Sequence, residues 1–346
     1  MTQVQSVSVH FSDGARREFS TSPGQTILDA GLLAGLPLLH QCRSGSCGAC
    51  VATLIKGEVS ARAGGGSNLL PTEVARGLRL LCQSSAVSQC AFSLAYSSDV
   101  AQRPPTRVHA FVNAIERVAQ DVVHLTLELA EGDWLEFKPG QYVRLNVPGT
   151  DAWRAYSPSS TTQTLPRLEF FMRLIDQGAM STWLSRECQV DDVVELEGPF
   201  GHFFLREPCR NPHIFIAGGT GLAPVLAMLG TIRRQGGVKP PLLVSFGCRS
   251  EASLFGISEL ELFAQWLPRL SVRTSVEDRA SATLNFGTAL SALNANDFAH
   301  PESVVYVCGP PAMVEAVRTR LDGWGVDPSR VYCEFFSPSN TSDEVL

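Results

Sequence analysis

The chain is short of several things that would each have set its class. It has no run of ~18 apolar residues, which excludes a membrane-spanning helix. Its start, Met1 to Phe11, has neither a basic nor an apolar leader region, so no signal peptide is expected and a cytoplasmic location is. No block of like charges occurs, charged residues make up only 18%, and the net charge of −6 is mild. The basic stripe of a nucleic-acid binder is therefore missing. No internal repeat and no long low-complexity segment is present. What remains is a 346-residue globular sequence, 44% hydrophobic, long enough for two or three domains. Its ten cysteines, in a chain without secretory features, point to metal ligation before disulfides.

Three zones follow one another. Residues 1–98 hold the clustered cysteines. Val7, Val9 and Phe11 alternate with polar residues, as a first or edge strand would. Residues 99–106, with Pro104 and Pro105, read as a linker. Residues 107–208 carry short alternating segments (108–115, 122–129, 142–147, 168–174, 193–197) separated by Pro-Gly turns, the pattern of a small antiparallel barrel. From 209 to 346 apolar runs (214–217, 242–246, 304–307) alternate with helical patterns (225–234, 311–321), which predicts a parallel sheet flanked by helices.

The strongest motif is Cys42-x4-Cys47-x2-Cys50, with Cys82 downstream. Four thiolates in this spacing suit a [2Fe–2S] cluster, and Gly45 and Gly48 allow the loop to wrap it closely. A structural zinc site in an interaction module is the alternative, although zinc ribbons set two Cys pairs on separate knuckles. The other six cysteines, Cys90, Cys188, Cys209, Cys248, Cys308 and Cys333, show no ligand spacing. The first zone resembles a plant-type ferredoxin domain, which implies a β-grasp fold with a helix over 26–39 ahead of the cluster loop. Unlike plant ferredoxins it is not acidic, having seven basic and five acidic residues, so an acidic docking face is not implied.

The second zone carries Arg154-Ala155-Tyr156-Ser157, which follows FKPGQYVRL and precedes Arg173 and GAMSTWL. R-x-Y-S alone could be any strand segment. The ordered set resembles the flavin domain of the ferredoxin–NADP reductase superfamily. An arginine can pair with a phosphate, an aromatic face can cover an isoalloxazine ring, and a small hydroxyl can bond near the ring nitrogen that receives hydride. By this resemblance Arg154, Tyr156, Ser157 and Arg173 serve the flavin. Gly178, Met180 and Ser181 open a helix whose amides bind a pyrophosphate, with Ser181 as its capping hydroxyl. FMN stays open at R-x-Y-S; the second phosphate site favours FAD.

The third zone places Gly218-Gly219-Thr220-Gly221-Leu222-Ala223-Pro224 after an apolar strand, a turn that lets backbone approach a dinucleotide. Pro224 replaces the last glycine of the dehydrogenase fingerprint, as in the reductase superfamily. The resemblance extends to Cys308-Gly309-Pro310 beside the nicotinamide, and to Glu334 and Phe336 near the end, which implies catalytic roles for Ser157, Cys308 and Glu334 and a shielding role for Phe336. Cys308 read by itself is a buried strand-end cysteine. After the second strand of this zone, Arg249 would suit a 2′-phosphate and Glu251 a 2′-hydroxyl; NADH is preferred, with NADPH possible.

The order ferredoxin, FAD domain, NAD domain resembles the reductase components of bacterial multicomponent oxygenases, of the benzoate-dioxygenase-reductase kind and those of diiron monooxygenases. The implied reaction passes electrons from NADH through FAD and [2Fe–2S] to a terminal oxygenase. The same domains occur in reductases for deoxysugar dehydratases, an alternative that these residues leave open.

Overall fold

A computed structural model describes residues 4–62, 64–100, 104–206, 210–278 and 284–336. The chain divides into two compact units. The first runs to Pro104 and includes Gly325–Ser329; the second takes Pro105–Trp324 and the residues from Arg330 onward.

The first unit is built on a five-stranded mixed sheet. Its elements are β1 (Gln5–His10), β2 (Arg16–Thr21), α1 (Ile27–Leu33), β3 (Val51–Lys56), β4 (Val59–Ala61), α2 (Pro71–Ala75), β5 (Leu78–Leu80), β6 (Ser84–Ala86) and β7 (Cys90–Ser93), with sheet order β2-β1-β7-β3-β5 and β4 paired to β6. β1 is first in the chain but not at an edge. It runs antiparallel to β2 and parallel to β7, and Val7 and Val9 are fully buried. Helix α1 begins where Thr26 accepts a hydrogen bond from the Asp29 amide, a side-chain cap for an otherwise unpaired donor. A mixed sheet with one packed helix is the expected β-grasp. The helix is shorter than the sequence suggested: it ends at Leu33 rather than Leu39. Gly35 turns with φ +72°, and Pro37 cannot continue a helical ladder.

The second unit opens with an antiparallel six-stranded sheet closing toward a barrel. It comprises β8 (Thr106–Ala119), β9 (Val122–Leu129), β10 (Tyr142–Asn146), β11 (Trp153–Tyr156), β12 (Arg167–Arg173) and β13 (Val193–Phe200), in the order β11-β10-β13-β8-β9-β12, with α3 (Ala179–Arg186) between β12 and β13. Alternation along β8 and β9 buries Val108, Ala110, Val112, Val123, Leu125 and Leu127 in one core. Thr106 already belongs to β8.

A parallel sheet follows: β14 (His213–Gly218), α4 (Leu222–Arg234), β15 (Leu242–Cys248), α5 (Ile257–Trp266), β16 (Leu270–Val276), β17 (Asn285–Phe286), β18 (Val304–Gly309), α6 (Pro311–Gly323) and β19 (Val331–Phe335), in the order β17-β16-β15-β14-β18-β19. β14 is buried along its whole length, as a strand covered by helices on both faces must be. The chain starts at the sheet centre, winds outward through β15 and β16, then returns to β18. The reversal beside β14 is a topological switch point, where open α/β sheets place their ligands. No described helix is long and apolar enough to cross a membrane. Cys209, the 101–103 part of the expected linker and everything after Phe336 lie outside the described residues.

Candidate cofactor sites

In the first unit the four motif thiols fall into two pairs. The Cys42 amide points at Cys47 Sγ (3.5 Å) and the Cys47 amide at Cys42 Sγ (3.3 Å), while the Cys82 amide points at Cys50 Sγ (3.5 Å). Ala49 adds a donor to Cys47 Sγ at 3.4 Å. Among the described residues no three His, Cys, Asp or Glu side chains converge as they would on one metal ion. Two pairs suit two irons with two thiolates each, whereas one tetrahedral zinc needs all four together. The loop reaches this shape through positive φ at Arg43 (52°), Gly45 (88°) and Gly48 (76°). A Cβ on Gly45 would lie 2.1 Å from Gly66 O, so the backbone is closed tightly there.

Burial opposes ionisation of Cys42, but hydrogen bonds from Ser44, Ser46 and Cys47 outweigh it and hold the thiol down at about 5. Cys82 is held down to about 7, first by its bond with Cys50. Burial pushes Cys47 up to about 11. Cys50 also moves up, its proton held by the bond to Cys82. Gln83 and Asn68, which the sequence reading passed over, brace the loop. Gln83 donates to Cys82 Sγ (3.5 Å) and Arg43 O (3.0 Å), and Asn68 to Ser46 O (3.1 Å). Gln83 follows Cys82 directly, so its place in the chain was a signal; Asn68 carried none.

In the second unit the register connects the flavin motif to the chain's end. Tyr156 pairs with Val143, and the next β10 residue, Tyr142, pairs with Phe200 of β13. Gly201 follows, and a Cβ there would lie 3.0 Å from the Tyr142 ring and 3.6 Å from Glu334 Oε1. Glu334 in turn pairs with Cys308 across β18 and β19. Tyr142, Gly201, Glu334 and Cys308 thus form a connected line, and Ser157 follows directly on the strand paired with β10. Ser157 is 5% exposed and its Oγ is buried without a hydrogen-bond partner. Glu334 is 9% exposed and its Oε2 is likewise unmatched. Buried polar atoms without partners are rare and costly, and these two suit a ligand edge rich in donors and acceptors. Burial pushes Glu334 up to about 8, so it holds a proton at neutral pH. Burial also raises the Tyr156 phenol, with Arg154 opposing, and keeps it neutral. Arg154 is half-buried and donates to Trp153 O at 2.8 Å. Cys308 is fully buried, and the loss of water raises its thiol strongly.

The expected cap of α3 is corrected. Gly178 is the N-cap, and no side chain caps this helix. Ser181 stands inside its first turn, where its hydroxyl accepts the Ile175 amide at 2.8 Å. The preceding loop had already claimed that oxygen. Met180, one turn position earlier, is 2% exposed. Arg173 pairs with Asp121 at 3.0 Å.

The two glycine turns meet at the switch point. A Cβ on Gly221 would lie 2.2 Å from Cys308 O, and one on Gly309 3.3 Å from Gly218 Cα. Gly219, with φ +53°, and Thr220 form a single 3-10 turn ahead of α4. Pro224 sits in the first turn of α4, where its missing N–H leaves no broken bond. Pro310 caps α6. The Phe336 amide donates to Gly309 O at 2.9 Å, which fixes the last described residue against the same turn.

Comparison with known proteins agrees with each part. A 2Fe-2S iron-sulfur cluster binding domain model matches residues 10–87, an oxidoreductase FAD-binding domain model 109–205 and an oxidoreductase NAD-binding domain model 215–319. The cluster match sets the zinc reading aside. The chain is 35% identical over 334 residues to the toluate 1,2-dioxygenase electron transfer component of Pseudomonas putida, covering 96% of this chain and 98% of that one. It is 32% identical over 329 residues to a propane 2-monooxygenase reductase component of Mycolicibacterium smegmatis, covering 92% and 94%. The crystal structure of the Amycolatopsis cytochrome P450 reductase GcoB superposes with a TM-score of 0.69 at 30% identity, over 96% of this chain and all of that one. Three domain models in this order and identities above 30% over nearly the whole length decide the assignment: the chain belongs to the family of NAD-dependent reductases, carrying FAD and a [2Fe–2S] cluster, that serve as electron-transfer components of oxygenase systems.

Proposed function

We propose that the chain takes electrons from NADH and delivers them singly to the terminal oxygenase of an aromatic-acid dioxygenase system of the Rieske type. The observation that carries the reading is full-length likeness to the toluate dioxygenase component, in the same domain order. FAD supplies two-electron acceptance with one-electron release, and the cluster carries one electron at a time. The protein supplies position and protons.

In this reading Cys42, Cys47, Cys50 and Cys82 hold the irons, and the amides of residues 42, 47, 49 and 82 stabilise charge on sulfur. Arg154 binds a flavin phosphate, Tyr156 covers the ring, and Ser157 offers its free hydroxyl to the ring edge. The first amides of α3, at Gly178–Ser181, receive a pyrophosphate, and Ser181 orders the loop that leads to them. Arg173 bears on this region with Asp121 as its partner. Gly219, Thr220, Gly221 and Pro224 carry the NADH pyrophosphate, with Gly309 and Pro310 as the floor under the nicotinamide. Phe336 covers the exposed ring face, and Cys308 lines the floor. Glu334 holds a proton beside the reacting atoms. At the ribose end, the Asp278 amide donates to Arg249 O at 2.8 Å and the Glu277 amide to Cys248 O at 3.2 Å, which joins the ends of β15 and β16, and Glu251 opens the 3-10 turn after β15. Acidic residues at these strand ends favour a ribose hydroxyl over a phosphate, so kcat/KM is expected to be at least about tenfold higher for NADH.

A second reading has its own support: the propane monooxygenase and P450 reductase likenesses fit delivery to a monooxygenase. Reconstitution decides between them. The purified chain, NADH and a Rieske dioxygenase component are expected to give cis-diol from an aromatic acid. Turnover with a monooxygenase component alone, or with a deoxysugar dehydratase, contradicts the dioxygenase assignment.

A further inference from the structure

The second unit holds a cavity of about 310 Å³ that no cofactor motif reaches. One wall comes from the barrel: His124 of β9, Phe171 of β12, and Thr161 in the loop after β11. The other comes from Arg233 near the end of α4 and from Phe263 and Trp266 of α5. Arg233 lies nine residues beyond Pro224, roughly 14 Å along the helix, so the cavity sits at the opposite end of α4 from the nucleotide turn.

Three polar atoms of this lining are buried and have no hydrogen-bond partner: Thr161 Oγ1, His124 Nε2 and Arg233 Nε. Thr161 is only 5% exposed. Such groups are normally satisfied, and three around one cavity mark a place where something else supplies the partners. The charges are unequally engaged. Glu169 is held by Arg167 at 2.8 Å and also faces His124 Nε2 at 3.8 Å, so the imidazole is the least free of the three; Glu259 is held by Ser258 at 3.0 Å, while Arg234 donates to Gln163 at 3.0 Å. Among the described residues no ion pair holds Arg233. Its guanidinium instead lies over the Trp266 indole, with Cζ 4.1 Å from the ring centroid, a cation–π contact that holds it beside the cavity. Three further hydroxyls of the lining are already engaged with backbone: Ser159 donates to Glu169 O at 3.1 Å, Ser160 accepts from the Glu169 amide at 3.0 Å, and Thr164 donates to Thr161 O at 2.7 Å. Phe171, Leu226, Phe263 and the backbone of Gly230, where a Cβ would come within 3.2 Å of the Thr161 methyl, add apolar surface.

A cavity of this size with aromatic walls, a guanidinium outside any ion pair among the described residues and a buried, unmatched hydroxyl has the chemistry to take a small apolar ring that carries a single carboxylate. We propose that this cavity is a binding site for a small aromatic carboxylic acid, separate from the FAD and NADH sites. The carboxylate lies against Arg233 and Thr161, and the ring against Phe171 and Phe263. Because Thr161 is four residues past Ser157 on one continuous loop, an occupant joins the flavin-binding half of this unit to α4 and α5 of the nucleotide-binding half. The inference rests on the cavity alone and does not depend on which oxygenase the chain serves.

The test uses the holoprotein, with benzoate as probe, read by titration calorimetry and Trp fluorescence. One benzoate per chain is expected, with FAD content unchanged and no competition with NADH. Arg233→Met and Thr161→Val are expected to weaken binding at least about tenfold each, while Thr161→Ser, which keeps the hydroxyl, retains it. NADH–ferricyanide activity without benzoate is expected to match the parent in all three, which also shows that they fold. Absence of binding at about 10 mM benzoate overturns the proposal, as does equal affinity in Arg233→Met. Binding of inorganic phosphate in place of benzoate overturns the aromatic class, and competition with NADH or loss of FAD overturns the separate site.

Discussion

At the residue scale the proposed hydride-transfer site rests on two buried atoms. Ser157 Oγ and Glu334 Oε2 are buried, and no hydrogen-bond partner meets them among the described residues. The proton on Glu334 makes a pH prediction with a definite sign. Its ordinary value is 4.5 and burial raises it to about 8. Between those values the folded chain keeps a proton that the unfolded chain has released, so this group's contribution to stability is full below 4.5. It is lost as pH rises to about 8 and is level above. In stopped-flow measurements flavin reduction by NADH is expected to fall as pH rises through about 8. Glu334→Gln, which cannot ionise, should remove that inflection; the same inflection in the variant removes Glu334 from the site. Arg154 makes a simpler case. A charge-assisted phosphate bond is worth about 1.5–3 kcal/mol, so Arg154→Ala should weaken FAD retention roughly tenfold or more. Unchanged flavin content after gel filtration refutes the phosphate role. The sequence singles these residues out because each stands in a motif that resembles the reductase superfamily. Their pairing was not legible. Nothing in the sequence sets Gly201 beside Glu334, since that contact depends on β13 and β19 meeting in space.

At the scale of elements, strand type and order were readable from hydrophobic period, and element ends were less so. Period cannot see a cap or a turn. Helix α1 stopped six residues early because Gly35 and Pro37 ended it, although the apolar pattern ran on. Ser181 looked like a cap because caps favour serine, yet the loop amide of Ile175 took its oxygen and left Gly178 at the cap. Strand β16 and helix α5 fell between the recognised motifs and were not anticipated at all. Where glycine is forced by backbone contact, the prediction is sharp. Gly221→Ala puts a methyl 2.2 Å from Cys308 O, and the neighbour is backbone that cannot step aside. A cost of about 1–3 kcal/mol is expected, seen as a lower Tm and a raised KM for NADH with FAD retained. A variant with parental Tm and KM contradicts the close approach of the two turns.

On the scale of the whole molecule, the two units divide the labour: one carries the paired thiols, the other the two dinucleotide turns. Modular function follows. Cys47→Ser should abolish NADH–cytochrome c reduction that passes through the cluster while NADH–ferricyanide reduction, which needs only the second unit, persists. Loss of both together contradicts the division. The relay itself is tested most directly by anaerobic titration of the purified chain with NADH, followed in the visible region alongside iron and acid-labile sulfide analysis. The account predicts about two irons and two sulfides per chain, and bleaching of both the flavin and the cluster bands. A chain without iron and sulfide, or one whose flavin bleaches while the cluster bands stay unchanged, contradicts it.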